Sequence, residues 1–232
     1  MPVTVHHRVA RDDLGLGLVV AEPVSAGPAP AALAAALDAA IARRRAQPLG
    51  ADDEAARQLC RETLRNGRYK PTGRGKPASE YLLRAALEGD FPRVNGPVDA
   101  NNLVSLESLA PISLWDLDLA GTGDFEVRLG RADERHVFNP SGQVLDLGDL
   151  LCGCGVFADG RSQPMVTPVK DGLATKLTPA TRRVAGCIYF PLGAGGRERL
   201  AAVTADFARW LGVCGATRAE WAVAGPGESV SL

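Results

Sequence analysis

Histidine is scarce in this chain: His6, His7 and His136 are the whole supply. None stands in a nucleophile motif and no G-x-S-x-G occurs, so a Ser-His-Asp hydrolase has little support. Clusters of histidine and carboxylate that would hold a metal are missing as well, and neither metal nor cofactor is expected. Cysteine is present but unorganised. Cys60, Cys152, Cys154, Cys187 and Cys214 are odd in number and scattered. Cys152-Gly-Cys154 is too closely spaced for an ordinary zinc knuckle and has no second pair nearby, so these residues read as buried free thiols. No run approaches the roughly 20 apolar residues of a membrane span. Residues 1–20 hold Arg8, Arg11, Asp12 and Asp13 and no apolar segment of a secretory signal. A reducing cytoplasm is the expected location, with no membrane partner. The net charge of −1 supplies no global field for nucleic acid. Any polyanion contact must come from local clustering.

What is present suffices for a full core. The chain has 232 residues, 46% apolar and 23% charged, as ordinary globular proteins do. That length suits one domain. The expected plan is N-terminal strands and helices over 1–64, a core over 65–190, a closing helix over 191–224 and a fraying tail over 225–232. Residues 3–9 and 14–22 read as strands. Gly15 and Gly17 in the second mark close packing rather than a nucleotide loop. Residues 28–46 and 52–65 read as helices. The first ends in Arg43-Arg44-Arg45, which suits the negative end of its dipole.

A basic stretch over 65–76 follows, holding Arg65, Arg68, Lys70, Arg74 and Lys76 and no acid. Gly67, Gly73, Gly75 and Pro71 forbid regular structure there. The spacing of a P-loop is absent, because Lys76 is followed by Pro77. Two readings stay open: a mobile solvated loop, or a loop holding a phosphate through its charges and backbone N–H groups. Pro77 opens a helix that Gly89 closes. Asp99 then reads as the cap of a helix carrying Asn101, Asn102, Leu103, Leu106 and Leu109, which Pro111 stops. Two adjacent amides entering an apolar helix mark the candidate site.

Beyond this point the periodicity becomes that of strands. Residues 114–119 alternate, placing Asp116 and Asp118 on one face, where they pair with Arg128 or bond to turns. Further strands are expected near 125–129, 136–138, 143–147, 150–157, 163–169 and 182–191, before an amphipathic helix over 195–212. Helices followed by a run of strands give an α+β order.

The stretch Val98-Asp99-Ala100-Asn101-Asn102-Leu103-Val104 with Leu106-Glu107, Pro111 and Asp116 resembles the B3/B4 editing domain of the bacterial phenylalanyl-tRNA synthetase β subunit. It resembles still more the solo proteins built from that domain alone. Residues 94–97 and 177–184 add to the likeness, which covers about 65–190. The resemblance implies a layered β-sandwich or partial barrel with helices packed on one side. It also implies a pocket that hydrolyses an aminoacyl ester of mischarged tRNA in trans.

On that resemblance Asn102 and Ser113 orient water and ester, and Asn101, Pro111, Cys187 and Gly172 shape the amino-acid pocket. The basic stretch then meets the phosphates of the tRNA acceptor end. Departures follow the same mapping. Asn101 stands where the family has threonine, Ser113 where it has histidine, and Cys187 near a glutamate that reads the tyrosine hydroxyl. Residues 168–172 replace a glycine-rich wall. Specificity other than for tyrosyl-tRNA is therefore implied. The alternative is a non-catalytic module that binds tRNA, an amino acid or another small metabolite in the same frame.

Overall fold

The structure, a computed structural model, describes residues 2–47 and 49–232. In chain order the elements are β1 (Thr4–His7), β2 (Leu14–Glu22), α1 (Ala31–Ala46), α2 (Ala51–Thr63), α3 (Ala78–Glu88), α4 (Gly96–Ser108), β3 (Ile112–Asp116), α5 (Leu117–Ala120) and β4 (Asp124–Leu129). They continue as β5 (Arg135–Val137), β6 (Val144–Asp146), β7 (Leu151–Val156), β8 (Ser162–Val166), β9 (Val184–Pro191), α6 (Gly196–Val213), β10 (Arg218–Ala224) and β11 (Ser229–Ser231). The class is α+β, as the sequence order implies.

Strand β2 shows why the layers form. Its side chains alternate between two cores. Leu14, Leu16, Leu18 and Val20 face one core and Val19 and Ala21 the other. The strand lies inside a four-stranded sheet of order β10-β2-β9-β3. One face of that sheet packs on a five-stranded sheet of order β11-β1-β4-β7-β8, burying Phe125, Cys152, Cys154 and Tyr189 between them. The other face packs on α1, α3, α4 and α6, burying Leu37, Leu103, Leu106 and Phe207. The result is helices, sheet, sheet. Neither sheet closes into a barrel.

The glycines of β2 set the spacing of the helical layer. A Cβ at Gly17 would stand 2.2 Å from Thr204 Oγ1 of α6, and one at Gly15 would stand 2.7 Å from Leu200 Cδ2. Gly17→Ala is expected to lower unfolding stability by about 1–3 kcal/mol through overpacking. Thr204→Ala in the same chain recovers part of the loss in denaturant titration. An unchanged midpoint for Gly17→Ala would contradict the packing account.

Three local expectations are corrected. Helix α4 starts at Gly96, not at Asp99. The Asn95 side chain caps it by accepting from Val98 N at 3.0 Å, and Asp99 instead accepts from Val94 N at 2.9 Å. Pro97 in the first turn fixes that early start. Residues 114–119 are not one strand either. Asp116 ends β3 and caps α5, its Oδ1 accepting from the N–H groups of Asp118 and Leu119. Asp118 then pairs with Arg183 at 3.1 Å, while Arg128 pairs with Glu126 and Glu134. Finally, the tail does not fray. β11 pairs antiparallel with β1, and β10 pairs along the whole of β2. Exposed Trp221 and the alternating residues of 218–224 belong to an edge strand.

Candidate active site

Helix α4 turns into β3 within three residues. Leu109 takes a left-handed conformation, with φ of 61°. That conformation is costly for a residue bearing a Cβ. It is held by burial of Leu109 and by Ser105 Oγ, which donates to Ala110 O at 2.7 Å. The turn fixes the helix that carries Asn101 and Asn102 against the strand that carries Ser113.

Asn101 and Asn102 are both more than nine-tenths buried. Asn101 Nδ2 donates to Asn102 Oδ1 at 3.3 Å. Asn101 Oδ1 has no partner among the described residues. A buried carbonyl oxygen without a donor costs about 1–3 kcal/mol.

Ser113 is fully buried on β3, opposite Cys187 of β9. Its hydroxyl donates to Thr167 O at 3.0 Å and lies 3.4 Å from the Tyr189 hydroxyl. Pro111 O accepts from Tyr189 N at 3.1 Å, which starts the β3–β9 ladder. Pro111, Ser113, Cys187 and Tyr189 therefore converge at the outer end of the four-stranded sheet. The Cys187 thiol is pushed far up by burial. Burial does the same to the other four thiols, which excludes a thiolate nucleophile at ordinary pH. All five cysteines are buried and free, as the sequence implies.

Two groups that sequence reasoning missed lie beside this end. Asp171 covers the open edge of β3. Its Oδ2 accepts from Leu114 N at 3.2 Å and its Oδ1 from Thr167 N at 3.1 Å. Burial pushes its carboxyl up to about 6, against the opposing pull of Ser113 and the two N–H groups. The group thus changes charge just below neutrality, where acid–base chemistry uses carboxylates. Its only sequence signal was the Val-Lys-Asp-Gly turn over 169–172.

The second missed group is His136. Its Nε2 lies 3.1 Å from Lys170 O, which can only accept, so Nε2 carries the proton. Nδ1 is then a buried lone pair with no partner among the described residues, 3.2 Å from where a Cβ on Gly172 would stand. Burial holds the ring below its ordinary range, so it stays neutral. Gly172 has no room for a side chain, since its Cβ would also come within 2.6 Å of Met165 O. Isolation in an otherwise polar segment had hidden His136 from motif reasoning.

The basic loop is ordered. Tyr69 OH donates to Gly75 O at 2.8 Å, and Gly67 is left-handed with its Cβ position 2.5 Å from Asp149 Oδ2. Its cations divide into two sets. Arg65 pairs with Glu62 at 2.8 Å. Arg68 reaches Asp146 at 3.2 Å and Ala132 O at 2.9 Å. Lys70, Arg74 and Lys76 are exposed, and their side chains make no ion pair among the described residues.

Two clefts lie elsewhere. One of about 180 Å³ is lined by Leu117, Asp118, Gly121, Thr122 and Arg183. A more open one of about 530 Å³ is lined by Arg131 and residues 159–164. Among the described residues, no group of three or more His, Cys, Asp or Glu side chains could hold a metal ion. No helix among them is long and apolar enough to cross a membrane.

Comparison with known proteins bears on the same stretch. A family model described as the B3/4 domain matches residues 69–191. The phenylalanine–tRNA ligase beta subunit of Staphylococcus saprophyticus is 26% identical over 119 residues, which is 50% of this chain and 14% of that protein. The chain thus covers a small part of the relative's length. A crystal structure of an N-terminal fragment of the phenylalanyl-tRNA synthetase beta subunit from Pyrococcus horikoshii aligns with 98% of this chain and 54% of that one. Its sequence identity is 9% and the TM-score 0.47.

Proposed function

We propose, from the premise that this chain belongs to the B3/4 domain family, that it hydrolyses the aminoacyl ester of a mischarged tRNA in trans. The observation that carries the reading is the buried, unpartnered Asn101 Oδ1 beside Asn102. An α-ammonium group offers three donors, and one of them suits that oxygen. Asn102 Nδ2 then faces the ester carbonyl or the attacking water. Water adds to the carbonyl carbon, the bond to the ribose oxygen breaks, and the proton passes to that oxygen. The products are free amino acid and uncharged tRNA. The neighbouring ribose hydroxyl assists the transfer, because no histidine stands at Ser113.

Ser113 serves this reading by position. Its hydroxyl is committed to Thr167 O, so it fixes the turn that ends in Asp171. Asp171 supplies a carboxyl that becomes an anion near neutral pH. Cys187 shapes the pocket without polar readout, and a pocket lacking such readout discriminates poorly between substrates that differ by a hydroxyl. On this reading the whole chain works as one domain. The support from relatives is the name of the Staphylococcus saprophyticus protein, a tRNA ligase subunit.

One observation favours a second reading. The Ser113 hydroxyl is already bonded, which suits a module that binds an amino acid or tRNA without turnover. The test is a panel of tRNAs charged with non-cognate amino acids, incubated with the purified chain. Faster release of at least one amino acid supports hydrolysis. Binding of charged tRNA with no release on any member supports the module instead.

A further inference from the structure

The outer face of the five-stranded sheet gathers three residues that lie far apart in the chain. Val5, Phe125 and Val127 point into the core between the sheets, so the alternate residues Thr4, His6, Asp124 and Glu126 point outward. His6 Nδ1 lies 2.7 Å from Ser229 Oγ, and His6 Nε2 lies 3.0 Å from Asp124 Oδ1. These partners stand 223 and 118 residues from His6, so no motif in the sequence joins them.

The pairing of three strands places the side chains. Ser229 of β11 stands opposite His6 of β1 in an antiparallel ladder. Val3 and Leu232 exchange both backbone bonds, and His7 N donates to Glu228 O. By alternation His6 and Ser229 form a non-hydrogen-bonded pair, where facing side chains come closest. β4 runs parallel along the other side of β1, and Asp124 stands diagonal to His6. The register partner of His6 on β4, Glu126, is taken by Arg128 and Ser162, which leaves His6 to Asp124.

The hydrogen bonds fix the tautomer. A carboxylate only accepts, so His6 Nε2 carries the ring proton and donates to Asp124. Nδ1 is then the lone pair, and the Ser229 hydroxyl donates to it. A serine hydroxyl bonded to a neutral imidazole that a carboxylate holds in place is the arrangement that activates a nucleophile. Serine proteases use the two ring nitrogens the other way round, but the bond made by one nitrogen sets the role of the other in either sense.

Position and access agree with that role. The residue before Ser229 is pinned: Glu228 accepts from Arg197 at 2.9 and 2.7 Å and from Gly225 N at 2.8 Å. Ser229 is exposed, and the His6 and Asp124 side chains are 25% and 49% exposed, so an ester can reach the hydroxyl. β11 is the outermost strand of its sheet, and the same alternation turns the Ser229 N–H to the open edge. There it is free to donate to the oxyanion that forms when Oγ adds to a carbonyl.

We propose that Ser229, His6 and Asp124 form a nucleophilic site that takes the acyl group of small, activated esters. It is separate from the asparagine pair, since α4 lies in the helical layer beyond the four-stranded sheet. Ser229 Oγ adds to the ester carbonyl carbon while its proton passes to His6 Nδ1. The bond from that carbon to the alcohol oxygen breaks, and the alcohol leaves with the proton from Nδ1. Water then adds to the acyl-serine as His6 takes its proton. The bond to Oγ breaks, the proton returns to Oγ, and a carboxylic acid is released. An open sheet face grips an acyl chain weakly, so the reactivity of the leaving group selects the substrate.

The test mixes the full chain with p-nitrophenyl acetate, follows release of nitrophenol, and locates acetyl groups by peptide mass spectrometry after quenching. Acetylation of Ser229 is expected, and Ser229→Ala abolishes it together with the matching nitrophenol release. His6→Gln slows acetylation of Ser229 by about 100-fold or more, the usual share of a general base. Asp124→Asn slows it as well, because the ring is no longer held in the tautomer that leaves Nδ1 free. Ser231→Ala is the control. It breaks the Thr4–Ser231 bond at 3.0 Å between the same two strands and leaves the rate unchanged.

Acetyl groups found only on other residues overturn the site. So does acetylation of Ser229 at the native rate in His6→Gln, which removes the base. A slowing by Ser231→Ala equal to that of His6→Gln also overturns it, because strand pairing rather than activation then sets the rate.

Discussion

Asn102→Ala is expected to slow amino-acid release from the best charged tRNA by about 100-fold or more, the usual cost of losing one donor aimed at a developing oxyanion. The carboxamide is buried on α4, and Asn101 is its partner at 3.3 Å. Removing it also leaves the Asn101 amide group without an acceptor. A stability loss of about 1–3 kcal/mol should therefore accompany the rate loss. The two effects separate when the assay is run well below the unfolding midpoint of the variant and both proteins show the same circular dichroism. Asn101→Ala provides the contrast. It removes an oxygen that has no partner among the described residues, together with the weak 3.3 Å bond to Asn102 Oδ1, so its effect should fall on the affinity for charged tRNA more than on the maximal rate. A folded Asn102→Ala protein within threefold of the native rate would remove Asn102 from the chemistry.

Asp171→Asn is expected to flatten the pH dependence of stability between about pH 4 and 6. The folded carboxyl is raised to about 6 from an ordinary 3.8, mainly by burial. The native state thus binds the Asp171 proton more tightly than the unfolded chain does. The contribution of this group is fully present below pH 4 and is lost as pH rises through 6. Because the residue keeps partial exposure, the loss is about 1–2 kcal/mol rather than the full value of the shift. The variant removes that slope. It also places an amide NH2 against one of two backbone N–H donors, those of Leu114 and Thr167, so its stability at pH 7 falls as well. Denaturant titration at pH 4, 5, 6 and 7 reads both effects. Parallel pH curves for the two proteins would show that another group titrates there. If Asp171 assists the reaction, the native rate also rises between pH 5 and 7 and the variant's rate does not.

The sequence made the layers legible where periodicity was strong. Strand β2 is continuous and apolar because both of its faces are covered, and its two glycines mark where α6 comes close. The stretch identified by resemblance, about 65–190, coincides with the 69–191 matched by the family model. Short-range signals misled where two caps competed. Asp99 looks like a helix cap, but Asn95 followed by Pro97 starts the helix a turn earlier. Asp116 and Asp118 alternate like strand residues, yet Asp116 satisfies the N–H groups of a helical turn instead. The C-terminal strands were missed because a polar edge strand with one covered face has little hydrophobic signal.

The candidate site was legible in part. Asn101, Asn102, Ser113 and Cys187 were singled out by the residues around them in the chain, and the fold pairs Asn101 with Asn102 on α4 and Ser113 with Cys187 across one end of the β3–β9 ladder. Asp171, His136 and Tyr189 reach the same end of the sheet only through tertiary packing, which spacing in one sequence does not encode. The basic loop illustrates the same limit. Its five cations look equivalent in sequence, and only the fold separates Arg65 and Arg68, held by carboxylates, from the three that make no ion pair among the described residues.

The central claim is that the buried asparagine pair works on an aminoacyl ester. Its most direct measurement is single-turnover decay of charged tRNA with the protein in excess, across a panel of non-cognate amino acids. The account predicts release well above the uncatalysed rate for at least one member, lost in Asn102→Ala. Decay at the uncatalysed rate for every member, with charged tRNA bound throughout, would contradict it.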